Sequence, residues 1–255
     1  MKIQFCSDLH MEVWKHAFPE ITYDDEADVI IFAGDISNNE TQAVSYMAEL
    51  VKKGHTVMYV PGNHEYYRHD YKEQYEALKK ACEDAGVIFL EMEYVDIDGV
   101  RFIGATLWTD YRANPQDTTI TKMIAKRNMM DHYVITIDGE KFTPDDCERL
   151  NDMAKEFLRH NIDPEQKTIV VTHHAPTLHA VAPRFKGDAL NPAFVNDWSE
   201  FVYDLNAEAW IFGHTHHDID VTIGNTRVVS SQLGYPGERY YQGLADAFKP
   251  KIIEL

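Results

Sequence analysis

Five times along this chain an apolar run that reads as a strand leads into a short segment rich in Asp, Asn or His. Phe5-Cys6 leads to Ser7-Asp8-Leu9-His10, Val29-Ile30-Ile31-Phe32 to Gly34-Asp35, and Val57-Met58-Tyr59-Val60 to Gly62-Asn63-His64-Glu65. Thr168 to Val171 leads to His173-His174, and Trp210-Ile211-Phe212 to Gly213-His214-Thr215-His216. Open α/β sheets place their sites at the carboxyl ends of strands. The repetition therefore predicts an α/β fold in which five separated segments converge on one crevice.

Asp, Asn and His side chains bind divalent metal ions, so the joint pattern points to a two-metal hydrolase. Alone, an Asp-x-His is usually a turn with an exposed His, and His173-His174 reads as one buried and one exposed ring. Asp8 and His10 are two apart, as are His214 and His216, so on an extended strand end each pair points the same way. Gly34 lets the backbone turn tightly so that Asp35 reaches inward, and a carboxylate there can bridge two cations. Asn63 offers a neutral amide oxygen. His64, next to it, is expected to project away from the metals and face a substrate, oriented by Glu65, Asp70 or Asp110. His16, His55, His69, His132, His160 and His179 lack this context, His217 extends a loop, and Cys6 reads as a core thiol.

At 255 residues the chain suits a single domain spanning 1–255, with a mainly helical insertion at about 108–163 where the alternation of strand and motif stops. Helices are expected from Asn38 or Asn39 to about Lys53, from Tyr71 to Ala85, and near 118–130 and 144–160. Residues 87–96 and 100–106 read as a strand pair around Asp98-Gly99, and 221–229 as a hairpin around Gly224-Asn225. The net charge of −18 argues against gripping nucleic acid through a broad basic surface, although two bound cations would reverse the local field. Three scattered cysteines, no signal-peptide pattern and no membrane-length apolar stretch place the expected protein in the cytoplasm, off the membrane. The oligomeric state is not encoded in any of these features.

In content and order, Asp8-x-His10, Gly34-Asp35, Gly62-Asn63-His64-Glu65, His173 and Gly213-His214-x-His216 resemble the calcineurin-like metallophosphoesterase superfamily. The resemblance implies a four-layer sandwich: two mixed β-sheets face to face, flanked by helices. It implies that Asp8, His10, Asp35 and His216 hold one metal while Asp35, Asn63, His173 and His214 hold the other. The catalytic His of the family falls on His64. The expected reaction is hydrolysis of a phosphate mono- or diester by a metal-bridging hydroxide, with His64 serving the leaving oxygen. The mixed Asp, Asn and His shell suits Mn2+, Fe or Zn better than Mg2+ or Ca2+.

Departures from the family pattern narrow the substrate. Gly34-Asp35-Ile36-Ser37-Asn38-Asn39 lacks the Asp-Arg-Gly run of the protein phosphatases. The exonuclease branch carries a capping domain for which little chain remains. The cyclic-nucleotide phosphodiesterase branch is closer in size, though it usually has Asp where Glu65 stands. Thr106 to Asp110 and Gly234 to Gly237 resemble a bacterial and phage subgroup without an assigned substrate. A small phosphate ester is the expected partner; a nuclease, a cyclic-nucleotide phosphodiesterase and a non-catalytic scaffold are the alternatives. His174 and Arg184 are candidate substrate contacts, and Tyr66 and Tyr67 either wall a pocket or pack.

Overall fold

In the computed structural model, which describes residues 1–14, 18–113, 117–163, 165–241 and 247–255, all five apolar runs are strands. The chain begins β1 (Lys2–Cys6), β2 (Val29–Ala33), α1 (Glu40–Lys52), β3 (Thr56–Val60), α2 (Tyr71–Ala85), β4 (Ile88–Phe89), β5 (Glu93–Ile97) and β6 (Val100–Ala105). Next come α3 (Thr118–Asn128), α4 (Asp131–Val134), the hairpin β7 (Thr136–Ile137) and β8 (Glu140–Lys141), α5 (Pro144–Asn161) and β9 (Lys167–Thr172). The remainder is α6 (Ser199–Leu205), β10 (Ala209–Phe212), β11 (Asp220–Ile223), β12 (Thr226–Ser230), α7 (Glu238–Tyr241) and β13 (Lys251–Glu254). His16 lies outside the described residues.

The first sheet has the order β13-β1-β2-β3-β4, parallel except for β13 at its edge. The second has the order β11-β12-β10-β9-β6-β5, with four parallel strands between antiparallel edges. Alternate residues pack the two sheets together: Ile3, Phe5, Ile31 and Met58 meet Phe102, Ile169, Val171 and Ile211 in one buried cluster. The opposite parity faces outward onto helices. Ile30, Phe32 and Tyr59 cover Met47 and Leu50 of α1 and Leu78 of α2. Val170, Trp210 and Val228 cover Leu158 of α5 and Val202 of α6. Strands covered on both faces need apolar side chains at every position, which is why the runs are unbroken rather than alternating. The result is the expected four-layer sandwich.

Helix boundaries follow local chemistry. Asn39 caps α1 by accepting from Gln42 N at 3.0 Å, and Gly86 closes α2 at φ 74°. The expected strand over 87–96 is instead two strands in different sheets. Ile88–Phe89 pairs with β3; the chain then crosses over, and β5 pairs with β6. Met92, at φ 54°, marks the crossing. A short β13 beside β1 was not foreseen.

The 108–163 stretch has two roles. Helix α5 supplies an outer layer of the sandwich, while α3, α4 and the β7–β8 hairpin pack around Tyr66, Trp108, Tyr111 and Phe142 near the strand ends. Among the described residues, no helix is long and apolar enough to cross a membrane.

Candidate metal centre

The strand ends bend sharply before they deliver their side chains. β1 stops at Cys6, so Asp8 and His10 are not on extended backbone. Asp8, His10, Asp35, His214 and His216 all have left-handed backbone, at φ 56°, 44°, 56°, 71° and 48°. Each such non-glycine residue costs roughly 1–2 kcal/mol. The paired side chains thus converge through repeated left-handed turns, not through strand alternation as the spacing suggested. Backbone bonds between the loops hold the turns: Asp8 N to Gly34 O at 2.9 Å, His10 N to Asp35 O at 3.0 Å and Gly213 N to His173 O at 2.9 Å.

Close approach explains two glycines. A Cβ on Gly34 would lie 2.2 Å from His173 Nδ1, and one on Gly62 would lie 2.2 Å from Asp35 Oδ1. Glu65 fastens these same loops. Its carboxylate accepts from Asp35 N at 3.0 Å, Ile36 N at 2.7 Å and Gly62 N at 2.6 Å.

Two clusters of donor atoms meet at Asp35. On one side, His10 Nε2 and His216 Nε2 lie 2.9 Å apart, and His216 Nε2 is 3.4 Å from Asp8 Oδ1. Asp35 Oδ2 is 3.7 Å from His10 Nε2. On the other, His173 Nε2 is 3.1 Å from both His214 Nδ1 and Asn63 Oδ1, and 3.4 Å from Asp35 Oδ1. Asp35 therefore turns one oxygen to each cluster. All seven residues that the sequence singled out as ligands are brought together here, and all are buried except His216, whose side chain is 12% exposed.

Hydrogen bonds on the far side of several donors fix their orientation. His173 Nδ1 meets Ala33 O at 2.9 Å and His216 Nδ1 meets Glu238 Oε2 at 2.6 Å, which turns the Nε2 lone pair of each ring inward. Asn63 Nδ2 donates to Asp131 Oδ1 at 2.8 Å, aiming Oδ1 at the second cluster. His214 N donates to both oxygens of Asp8 at 3.0 Å.

Electrostatics point the same way. Burial pushes the Asp35 carboxyl up, but His173, His64 and His10 outweigh it and hold the group well below the usual range. Burial lowers His216 and His173, while Asp8 and Glu238 raise the first to about 10 and Asp35 raises the second to about 9. Imidazole nitrogens 2.9–3.1 Å apart without a cation must hold protons between them. A bound cation would take the place of those protons. Nitrogen lone pairs, anionic oxygens and one amide oxygen converging on two points fit a pair of divalent transition ions.

His64 departs from expectation in position and in partner. It lies beside the first cluster, with Nε2 3.9 Å from Asp35 Oδ2 and its ring centroid 4.4 Å from that of His10. Its Nδ1 bonds Glu12 Oε1 at 3.0 Å, and its Nε2 meets Tyr235 Oη at 3.1 Å. Glu12, which also approaches His10 Nδ1 at 3.5 Å, is thus the orienting carboxylate. The three acids suggested by the sequence are occupied elsewhere: Glu65 as above, Asp70 at the start of α2, and Asp110 with Arg112 N and Trp198 Nε1. Burial lowers His64, but Asp35 and Glu12 raise it to about 8. Burial raises Glu12, but its bonds to His10 and His64 bring it down to about 2.

A cavity of about 420 Å3 opens onto the cluster, walled there by Asp35, Asn63, His64, Tyr67, His214 and His216. Arg184 stands in its wall. His174, the other candidate substrate contact, does not line it. That ring is 3% exposed, bonded to Thr106 O at 3.1 Å and packed behind His214 with centroids 4.1 Å apart. Tyr66 is core.

The sequence of residues 1–218 matches the calcineurin-like phosphoesterase family. An uncharacterized protein of Acanthamoeba polyphaga mimivirus is 28% identical over 268 residues, covering 93% of this chain and 92% of that one. Among solved structures, the phosphopantetheinyl hydrolase of Mycobacterium tuberculosis shares the fold with a TM-score of 0.73 at 19% identity, over 98% of this chain and 95% of that chain. A Thermus thermophilus protein matches with a TM-score of 0.51 at 12% identity, over 92% of this chain and 89% of that chain. Because the family match takes in all five segments and the frame between them, the chain belongs to the calcineurin-like phosphoesterases.

Proposed function

We propose that the protein is a two-metal phosphoesterase that hydrolyses a small phosphate mono- or diester. Asp8, His10, Asp35 and His216 would hold one ion, and Asp35, Asn63, His173 and His214 the other, with Mn2+, Fe or Zn suited to such donors. The observation that carries this reading is Asp35, whose two oxygens face separate clusters at 3.7 Å and 3.4 Å from His10 and His173. When bound, the ions supply Lewis-acid activation of water and of the phosphoryl oxygens.

The chain's own residues do the rest. Glu12 holds the His64 ring through Nδ1, leaving Nε2 to carry a proton toward a leaving oxygen in the place that Tyr235 Oη occupies. Glu238 and Asp131 keep His216 and Asn63 in their orientations. The intact donor set speaks against a decayed scaffold. A wall with Arg184 as its one Lys or Arg among the described residues speaks against a long polyanion. Cys6, Cys82 and Cys147 are buried and free, which suits the reducing cytoplasm.

Reconstituted protein should carry close to two ions per chain by elemental analysis. It should hydrolyse nitrophenyl phosphate mono- or diesters in Mn2+, with phosphoproteins and long DNA poor substrates. One ion at saturation, or processive DNA degradation at moderate salt, would overturn the reading.

Glu12→Gln tests the positioning role. The amide keeps the hydrogen bond but not the charge, so the imidazolium loses support and the His64 pKa falls. The alkaline limb of the kcat profile should move to lower pH, and kcat should fall about 10–100-fold, as for outer-shell partners generally. An unshifted limb would remove Glu12 from the mechanism.

A further inference from the structure

Beyond the metal cluster much of the cavity wall is apolar. Met129 and Met130, between α3 and α4, face the same space as Val181, Phe185, Leu190 and Phe194 from the loop after β9. Met130 and Phe185 are 55% and 45% exposed, respectively. Large apolar side chains exposed around the mouth of a site mark surface that something apolar covers.

Several polar groups in this wall are held in part by the protein itself. Asn128 Nδ2 donates to Ile124 O at 2.7 Å, and Asn191 Nδ2 donates to Phe185 O at 2.8 Å. Asp188 Oδ1 accepts from Leu190 N at 2.8 Å. Glu238 Oε2 is held by His216 Nδ1 at 2.6 Å and Tyr235 N at 2.9 Å. One amide donor of each Asn is therefore turned toward backbone. Arg184 lies over the Phe185 ring at 4.7 Å, and the same wall carries the carboxylates of Asp188 and Glu238. One cation in a wall with two carboxylates offers little attraction to a chain of phosphates.

We infer that the substrate is a soluble ester with a single phosphoryl group and an aliphatic arm, the arm lying along Met129, Met130, Phe185, Leu190 and Phe194. This rests on the two-metal reading above and narrows it. Nucleotides and polyphosphates are expected to be the poorer substrates.

The test is a series of nitrophenyl alkyl phosphates from methyl to octyl on the Mn2+-loaded full chain, with a thymidine nitrophenyl phosphate for comparison. In parallel, alkylphosphonates of the same lengths are titrated by calorimetry. Both kcat/KM and phosphonate affinity should climb about 3–4-fold per added methylene over the first several carbons, the factor that burial of a methylene gives. Met130→Ala and Phe185→Ala should flatten both slopes. A flat phosphonate series, or a thymidine ester turned over tenfold faster than the octyl ester, would overturn the inference. Should no ester turn over while phosphonate affinity still climbs with length, the phosphoesterase reading falls and the apolar arm site stands. Should all esters turn over equally with phosphonate affinity flat, the arm site falls and the phosphoesterase reading stands.

Discussion

Asp35→Asn should strip both ions from the protein, not one. The substitution keeps the shape of the side chain and leaves an oxygen for His64 N, which donates to Asp35 Oδ1 at 2.9 Å. What it removes is the charge shared by the two clusters, and it puts an amide N–H where one of them needs a lone pair. Loss of an outer-shell partner already costs about 10–100-fold in metal affinity or activity, and loss of a shared ligand should exceed that at both sites. The effect is also visible without turnover. A site filled at a thousandfold excess over its Kd adds about 4 kcal/mol of stability. Each kcal/mol raises Tm by about 2–4 °C in a chain of this size. Wild-type protein with two filled sites should therefore melt well over 10 °C above its metal-free form, and Asp35→Asn should lose most of that increment. Two tightly bound ions in the variant, with the full thermal increment, would show that Asp35 does not bridge.

The ligand segments were legible in the sequence because three physical requirements coincide at them. Parallel strands buried on both faces leave unbroken apolar runs such as Val29–Ala33, whose end is easy to place. The turns that follow need glycine where loops touch, as at Gly34 and Gly62. The donors then stand at once after the turn. What holds those donors was not legible. Glu12 is 52 residues from His64, Asp131 is 68 from Asn63, and Glu238 is 22 from His216. With 42 Asp and Glu in the chain, any acid near a His is a candidate, and only the folded chain selects one. Glu12 did carry a local signal, standing two residues after His10, but the reading weighed Glu65, Asp70 and Asp110 instead.

Two other errors share a cause. Residues 87–96 read as one strand because periodicity records that residues are extended, not which sheet they join. His174 was weighed as a substrate contact because it neighbours His173, whereas the two rings stand at 87° and only one reaches the cluster. Spacing located the chemistry. Tertiary packing decided which neighbour takes part.

His64→Ala should keep both ions and lose turnover. Its ring touches the first cluster, and His10, Asp35 and His64 together form a trio close enough to hold a cation, so the variant separates two roles. Hydrogen bonding favours the proton-transfer role. Both ring nitrogens are engaged, Nδ1 by Glu12 and Nε2 by Tyr235 Oη, and neither lone pair is left facing a donor cluster as in His173 or His216. A positioned general acid is worth about 10²–10⁴-fold, so kcat should fall by that factor. The loss should be largest for alkyl leaving groups and smallest for nitrophenolate, which leaves without help. The pH profile gives the sign. A general acid must be protonated, and with Asp35 and Glu12 holding His64 at about 8 the wild-type rate should decline as pH rises through that region. Bound cations beside Asp35 oppose this and move the limb lower. In His64→Ala that limb should vanish, leaving a rate nearly independent of pH on the alkaline side. Loss of an ion from the variant would make His64 a ligand. An equal loss for alkyl and nitrophenyl leaving groups would instead assign it to binding the phosphoryl oxygens.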